Sequence, residues 1–174
     1  ITRNCMLHCR YCFIHDEAPP SLDPRLVDPL VCFLEGTGRR WRLDVTGGEP
    51  LMVFETLKRL LEKCRDRGVV IEGGDLTTNG VLADEGKIDY LAANNFILIF
   101  SVDGPEHVHL ENRTSRSSPI NSHQRAMAAV RYMQRKGYRY GFSGVFHKNT
   151  LAWLDESVRF LLDNAGLHRR IVLH

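Results

Sequence analysis

With 174 residues, 43% of them hydrophobic, 25% charged and 9% aromatic, the chain has the composition of one ordinary globular domain with a sizeable core. The formal charge is +2, from 12 basic against 14 acidic residues over positions 1–87 and 11 against 7 thereafter; this is too small and too scattered to argue for nucleic acid. No apolar run approaches the ~20 residues of a membrane span and no basic-then-apolar leader is visible, so a cytoplasmic protein with no nucleic-acid or membrane partner is expected.

In chain order, positions 23–34 read as a helix with Leu26, Leu30 and Leu34 in step, Pro24 at its start and Pro29 as a point of kinking or shortening. A strand over 41–46 ends at Gly47-Gly48. A helix over 53–66 carries Val53, Leu57, Leu60, Leu61 and Cys64 on one face. A strand follows within 69–78, then a helix over 84–94. Positions 96–102 form the clearest buried-type strand, closed by Asp103-Gly104. The segment 106–122 is polar and reads as a long, candidate functional loop. A helix over 122–136 ends at Gly137, a strand covers 138–146 and a helix covers 151–164. A last strand begins at 170–173. This alternation argues for an α/β fold with a parallel sheet and right-handed crossovers. Ile1-Thr2 read as the tail of one strand and the final residues as the beginning of another, so both outer strands are expected to be cut.

The strongest chemical signal is Cys5, Cys9 and Cys12, three thiols within eight residues. Thiolates so spaced let one short loop wrap one iron–sulfur cluster, and with no fourth cysteine nearby one iron keeps an open position. The alternative is a zinc site completed by His8 or His15. Cys32 and Cys64 read as small core residues. Three weaker signals each end a predicted strand: Gly47-Gly48-Glu49-Pro50, Thr77-Thr78-Asn79-Gly80 and Ser101-Val102-Asp103-Gly104. Each alone is also an ordinary turn. Together they fall at one face of one sheet, where α/β proteins place their sites. His107, His109, His123, His147 and His168 read as surface or capping groups.

These motifs taken together resemble the radical S-adenosylmethionine (radical SAM) superfamily. The C-x3-C-x2-C loop, with the aromatic Tyr11 before its last cysteine, matches that family's signature, and the GGEP stretch matches its second motif. The TTNG and S-x-D-G stretches resemble its peptide- and protein-modifying branch, which includes the anaerobic sulfatase-maturating enzymes. The resemblance implies a partial (β/α)6 TIM-like barrel, truncated at both ends, with positions 1–174 forming a single core domain. It implies a [4Fe-4S] cluster on Cys5, Cys9 and Cys12, with S-adenosylmethionine chelating the open iron. Gly47, Gly48 and Glu49 would bind the amino group of that cofactor. Ser101 and Arg113 would meet its carboxylate or ribose, Arg125 being a rival for Arg113. Asn79 and Asp103 would line the ribose or substrate side, and Tyr11 would pack near the adenine or against the cluster loop. The implied activity is reductive cleavage of S-adenosylmethionine and hydrogen abstraction from a peptide or protein side chain. The implied electron donor is a flavodoxin or ferredoxin. A small-molecule substrate, or a non-catalytic metal-binding module, are the alternatives. Two departures are Leu110, where the family has an acid after the histidine, and the absence of a cysteine-rich C-terminal extension for auxiliary clusters.

Overall fold

A computed structural model describes residues 1–14, 21–115, 120–166 and 170–174. In chain order its elements are β1 (Leu7–Cys9), α1 (Val27–Gly36), β2 (Trp41–Val45), α2 (Phe54–Asp66), β3 (Ile71–Thr78), α3 (Glu85–Ala93), β4 (Phe96–Ser101), α4 (Glu106–Asn112), β5 (Arg113–Ser115), α5 (Ser122–Lys136), β6 (Tyr140–Gly144), α6 (Leu154–Asn164) and β7 (Arg170–Leu173). The order β2-β3-β4-β6-β7 makes one five-stranded parallel sheet, while β1 and β5 form a separate antiparallel pair. The result is the expected α/β architecture, a curled half-barrel with helices on its outer side.

Side-chain alternation along the strands decides which face is which. Leu76 and Thr78 of β3, Leu98 and Phe100 of β4, and Tyr140 and Phe142 of β6 are buried. They align across the sheet as Leu76↔Leu98, Thr78↔Phe100 and Phe100↔Phe142. Leu57, Leu61, Ile88, Leu91, Val130, Met133 and Leu161 close over them from the helices to form the main core. The opposite face is more polar, with Thr77, Ser101 and Ser143 only half-buried. Ser101 and Ser143 sit side by side in register. A smaller core joins α1 to α2 through Val27, Val31, Leu34, Leu60 and Cys64.

Several local expectations change. The buried stripe of α1 is Val27, Val31 and Leu34, and Leu26 lies exposed in a preceding 3-10 turn. Because the helix starts at Val27, Pro29 falls in its first turn, where a missing N–H costs no intrahelical bond. Cys64 is buried as expected, but Cys32 is exposed on the outer side of α1. The 106–122 segment is not simply a loop, since it contains α4 and β5. Beside the apolar Val108, α4 buries two polar groups that find partners: His109 Nε2 with Ser122 Oγ at 2.9 Å, and Asn112 Nδ2 donating to Thr150 Oγ1 at 3.3 Å. Thus His109 and His123 are buried rather than surface groups. His15 and His168 lie outside the described residues. Among the described residues no helix is long and apolar enough to cross a membrane.

Burial of His109 has a pH consequence. Desolvation, with the charges of Arg113 and His123 adding to it, holds its ring well below the usual histidine range. An unfolded histidine titrates near 6.5, so below that pH the unfolded chain takes up a proton that the folded chain refuses. Stability is therefore full above about pH 6.5 and declines as pH falls below it, by about 1.4 kcal/mol over the first fully titrated unit. Thermal melts between pH 7.5 and 5.5 should show this decline, and His109→Gln should flatten it. An equally steep decline in the variant would assign the effect to other groups.

Candidate functional site

The C-terminal ends of the strands frame a cleft of about 560 Å³, lined by Cys5, Cys9, Tyr11 and Cys12 from the cysteine loop, Gly47 and Gly48 after β2, Thr77 to Asn79 on β3 and beyond it, Ser101, Arg113 and Ser143. Three of the four sequence motifs thus reach this cleft by Gly47 and Gly48, by Asn79, and by Ser101, and the cysteine loop supplies the rest.

Close packing of backbone brings the cysteine loop there. Gly48 N–H donates to Thr2 O and Glu49 N–H donates to Asn4 O, each at 2.7 Å. Residues 2–4 therefore zip onto the Gly-Gly-Glu turn immediately before Cys5. A Cβ on Gly47 would lie 2.1 Å from Thr2 O, and one on Gly48 would lie 2.2 Å from Asn4 O. The glycines are required by this approach of chain to chain. The expected approach to a cofactor is a separate matter, served by their remaining exposure to the cleft. On the other side of the loop, β1 pairs with β5 in the register Cys9↔Arg113.

Glu49 departs from its expected role. Its carboxylate is fully buried and does not line the cleft. One oxygen accepts from Leu51 N–H at 3.0 Å and Thr78 Oγ1 at 2.7 Å, and the other from Asn79 N–H at 2.7 Å. Desolvation pushes this carboxyl up, against the pull of those three hydrogen bonds. Glu49 ties the turn after β2 to the end of β3 and so sets the position of Asn79. Asn79 in turn donates its side-chain amide to Cys5 Sγ at 3.6 Å and Met6 Sδ at 3.4 Å.

Asp103 is likewise turned inward. Fully buried, it receives Arg113 Nε at 2.9 Å and Nη2 at 2.8 Å, Tyr11 Oη at 2.7 Å and Val145 N–H at 3.0 Å. It is therefore an anchor joining the cysteine loop, β5 and the end of β6, and is not positioned to line a ribose. The Arg113 guanidinium also lies 5.3 Å from the Tyr11 ring centroid. Against the cost of burial, the Asp103 charge holds Arg113 above its ordinary value. Asp103 engages Nε and Nη2, and among the described residues Nη1 has no hydrogen-bond acceptor. Arg125 is exposed on α5 and lines a different groove, so it is not a rival at this cleft. Ser143 also lines the cleft although no motif flagged it, beside Thr77 of the Thr-Thr-Asn-Gly motif. Strand alternation was the available signal, since Ser143 shares the inward phase of Ser101.

The donor set fits an iron–sulfur cluster. Cys5 and Cys9 are half-buried and Cys12 is exposed at the rim. Burial pushes the Cys9 thiol up to about 11, with Arg113 pulling it down and Cys5, Asp103 and Cys12 pushing it further up. Burial likewise raises Cys5. Thiols that oppose each other's ionisation are the groups a cationic iron centre would draw to the thiolate form. His8 is exposed and lines the same cleft. Among the described residues no three Cys, His, Asp or Glu side chains converge on a single ion.

The sequence matches the Radical SAM superfamily over residues 1–161, and the chain belongs to that family. The family's cofactors are S-adenosylmethionine and a [4Fe-4S] cluster. A Cysteine-type anaerobic sulfatase-maturating enzyme of Clostridium perfringens is 31% identical over 128 residues, 63% of this chain and 32% of that protein. An uncharacterized protein of Methanocaldococcus jannaschii is 21% identical over 164 residues, 93% of this chain and 56% of that protein. The chain thus spans only part of the length of these relatives. The solved structure of native anSMEcpe with bound AdoMet and Kp18Cys peptide superposes with a TM-score of 0.85 at 21% identity, covering 98% of this chain and 48% of that one. That likeness establishes the partial TIM-like barrel fold.

Proposed function

We propose that this chain is the core of a radical SAM enzyme acting on a peptide or protein side chain. The observation that carries the reading is the meeting of Cys5, Cys9 and Cys12 with Gly47, Gly48, Ser101 and Arg113 in one cleft. Cys5, Cys9 and Cys12 would hold the [4Fe-4S] cluster. Bound there, the cluster and S-adenosylmethionine would supply reductive cleavage of the sulfonium and hydrogen abstraction from the substrate.

The chain's own residues bind and orient. Arg113, fixed by Asp103, would serve the cofactor carboxylate, with the Ser101 hydroxyl as a further donor. Backbone carbonyls at Gly47 and Gly48 would accept from the amino group. Tyr11, within the cysteine loop and lining the cleft, would pack near the cofactor, its hydroxyl held by Asp103. The peptide substrate class is supported by the sulfatase-maturating relatives and by the peptide bound to anSMEcpe. A flavodoxin or ferredoxin supplies the electron, and a cytoplasmic location keeps the three thiols reduced.

Anaerobically reconstituted protein, given S-adenosylmethionine and dithionite, is expected to release 5′-deoxyadenosine and methionine. Chromatography of the quenched mixture checks this. Intact S-adenosylmethionine beside a fully reduced cluster would overturn the reading.

A further inference from the structure

Away from the cleft, a groove of about 500 Å³ runs between α3 and α5. Gly80 and Val81, just beyond β3, line one part of it, and Lys87, Arg125, Arg131 and Arg135 line its sides. Lys87 pairs with Asp84, and Arg135 lies 4.0 Å from Glu85. Among the described residues no ion pair holds Arg125 or Arg131, and both are exposed. The groove therefore offers two uncompensated guanidinium groups that suit an acidic surface.

What sets this groove apart from other basic surface is its wiring to the cysteine loop. Gly80 has φ +78, and a Cβ there would lie 2.8 Å from Ala126 Cα, so the loop after β3 rests directly on α5. Val81 N–H, at the groove, donates to Asn79 Oδ1 at 3.0 Å. The same carboxamide donates through Nδ2 to Cys5 Sγ at 3.6 Å. A continuous hydrogen-bonded path thus leads from the groove through one side chain to a thiol of the proposed cluster. It starts at the outer groove and ends at Asn79 and Cys5 in the wall of the cleft.

We propose that the α3–α5 groove is the docking face for an acidic one-electron carrier protein, whose electron reaches the cluster by way of Asn79 and Cys5. This rests on the cluster reading above. One electron leaves the carrier, oxidising it by one unit, and enters the cluster, reducing it by one unit; no proton or group moves.

The test uses the reconstituted 174-residue chain and an acidic flavodoxin in its hydroquinone form. In the double variant Arg125→Glu/Arg131→Glu, cluster reduction by flavodoxin should slow at least tenfold, and flavodoxin affinity should fall with loss of its salt dependence. Iron content, thermal midpoint and reduction by dithionite should stay at wild-type levels. Arg39→Glu, just before β2 and at the opposite rim of the sheet, should change nothing. Asn79→Leu should slow reduction by flavodoxin while leaving flavodoxin affinity intact. Wild-type reduction rates in the double variant would overturn the docking face. So would binding of an RNA oligomer or anionic vesicles that is lost on charge reversal while flavodoxin reduction is not. Unchanged flavodoxin reduction in Asn79→Leu would overturn the path. Wild-type protein that takes up no iron would sink the cluster reading, and this proposal with it.

Discussion

Replacement of Cys9 by alanine should abolish cluster assembly. Cys9 is the middle donor of the loop, paired in register with Arg113 and set deeper than the exposed Cys12. Two thiolates cannot hold three irons, and no other cysteine replaces it: Cys64 is buried against α1 and Cys32 is exposed on α1. Reconstituted Cys9→Ala should therefore retain less than a tenth of wild-type iron and lose its visible charge-transfer absorption. The thermal midpoint of the metal-free protein should change little, because the Cys9 side chain sits at a cleft and not within either core cluster. Full iron retention would assign the ligand role elsewhere.

Replacement of Asp103 should cost the most stability of any change at the site. Its carboxylate is completely buried and holds Arg113, whose side chain is only 7% exposed. Asp103→Ala leaves a buried guanidinium without its partner and releases Tyr11 and the Val145 N–H at the same time. Breaking a buried ion pair from one side costs about 3–5 kcal/mol. In a chain of this length that corresponds to a fall in melting temperature of roughly 10 °C or more. Tyr11→Phe separates the two roles of the anchor. It keeps the ion pair and so the stability, but frees the cysteine loop, and it should speed iron loss to a chelator. An Asp103→Ala protein with a wild-type midpoint would refute the anchor.

The fold was legible in sequence wherever burial is apolar and periodic. The helix over 122–136 and the strands around Leu76, Phe100 and Phe142 carry their pattern openly. The helix α4 was hidden because two of its three buried residues, His109 and Asn112, are polar and bond to Ser122 and Thr150, partners remote in sequence. At α1, leucines at regular spacing competed with Val27 and Val31, and only the packing against α2 selects the valines.

The site was legible as a set of residues but not as a set of partners. The cysteine spacing and the strand-terminal motifs locate the cleft, since chemistry collects at the C-terminal ends of parallel strands. That Glu49 and Asp103 face inward depends on contacts with Thr78 and Asn79 in one case, and with Arg113 and Tyr11 in the other. A motif specifies neighbours along the chain, whereas these hydrogen bonds join different βα units. Gly47 and Gly48 show the same limit: their lack of side chains is legible, but the reason, residues 2–4 lying across them, is three-dimensional.

On the proposed function, one loop of three thiols holds a multi-iron cluster with an open position. Metal and acid-labile sulfide analysis of the anaerobically reconstituted 174-residue protein tests it most directly. The predicted result is about four irons and about four sulfides per chain. One zinc per chain with no sulfide would contradict it.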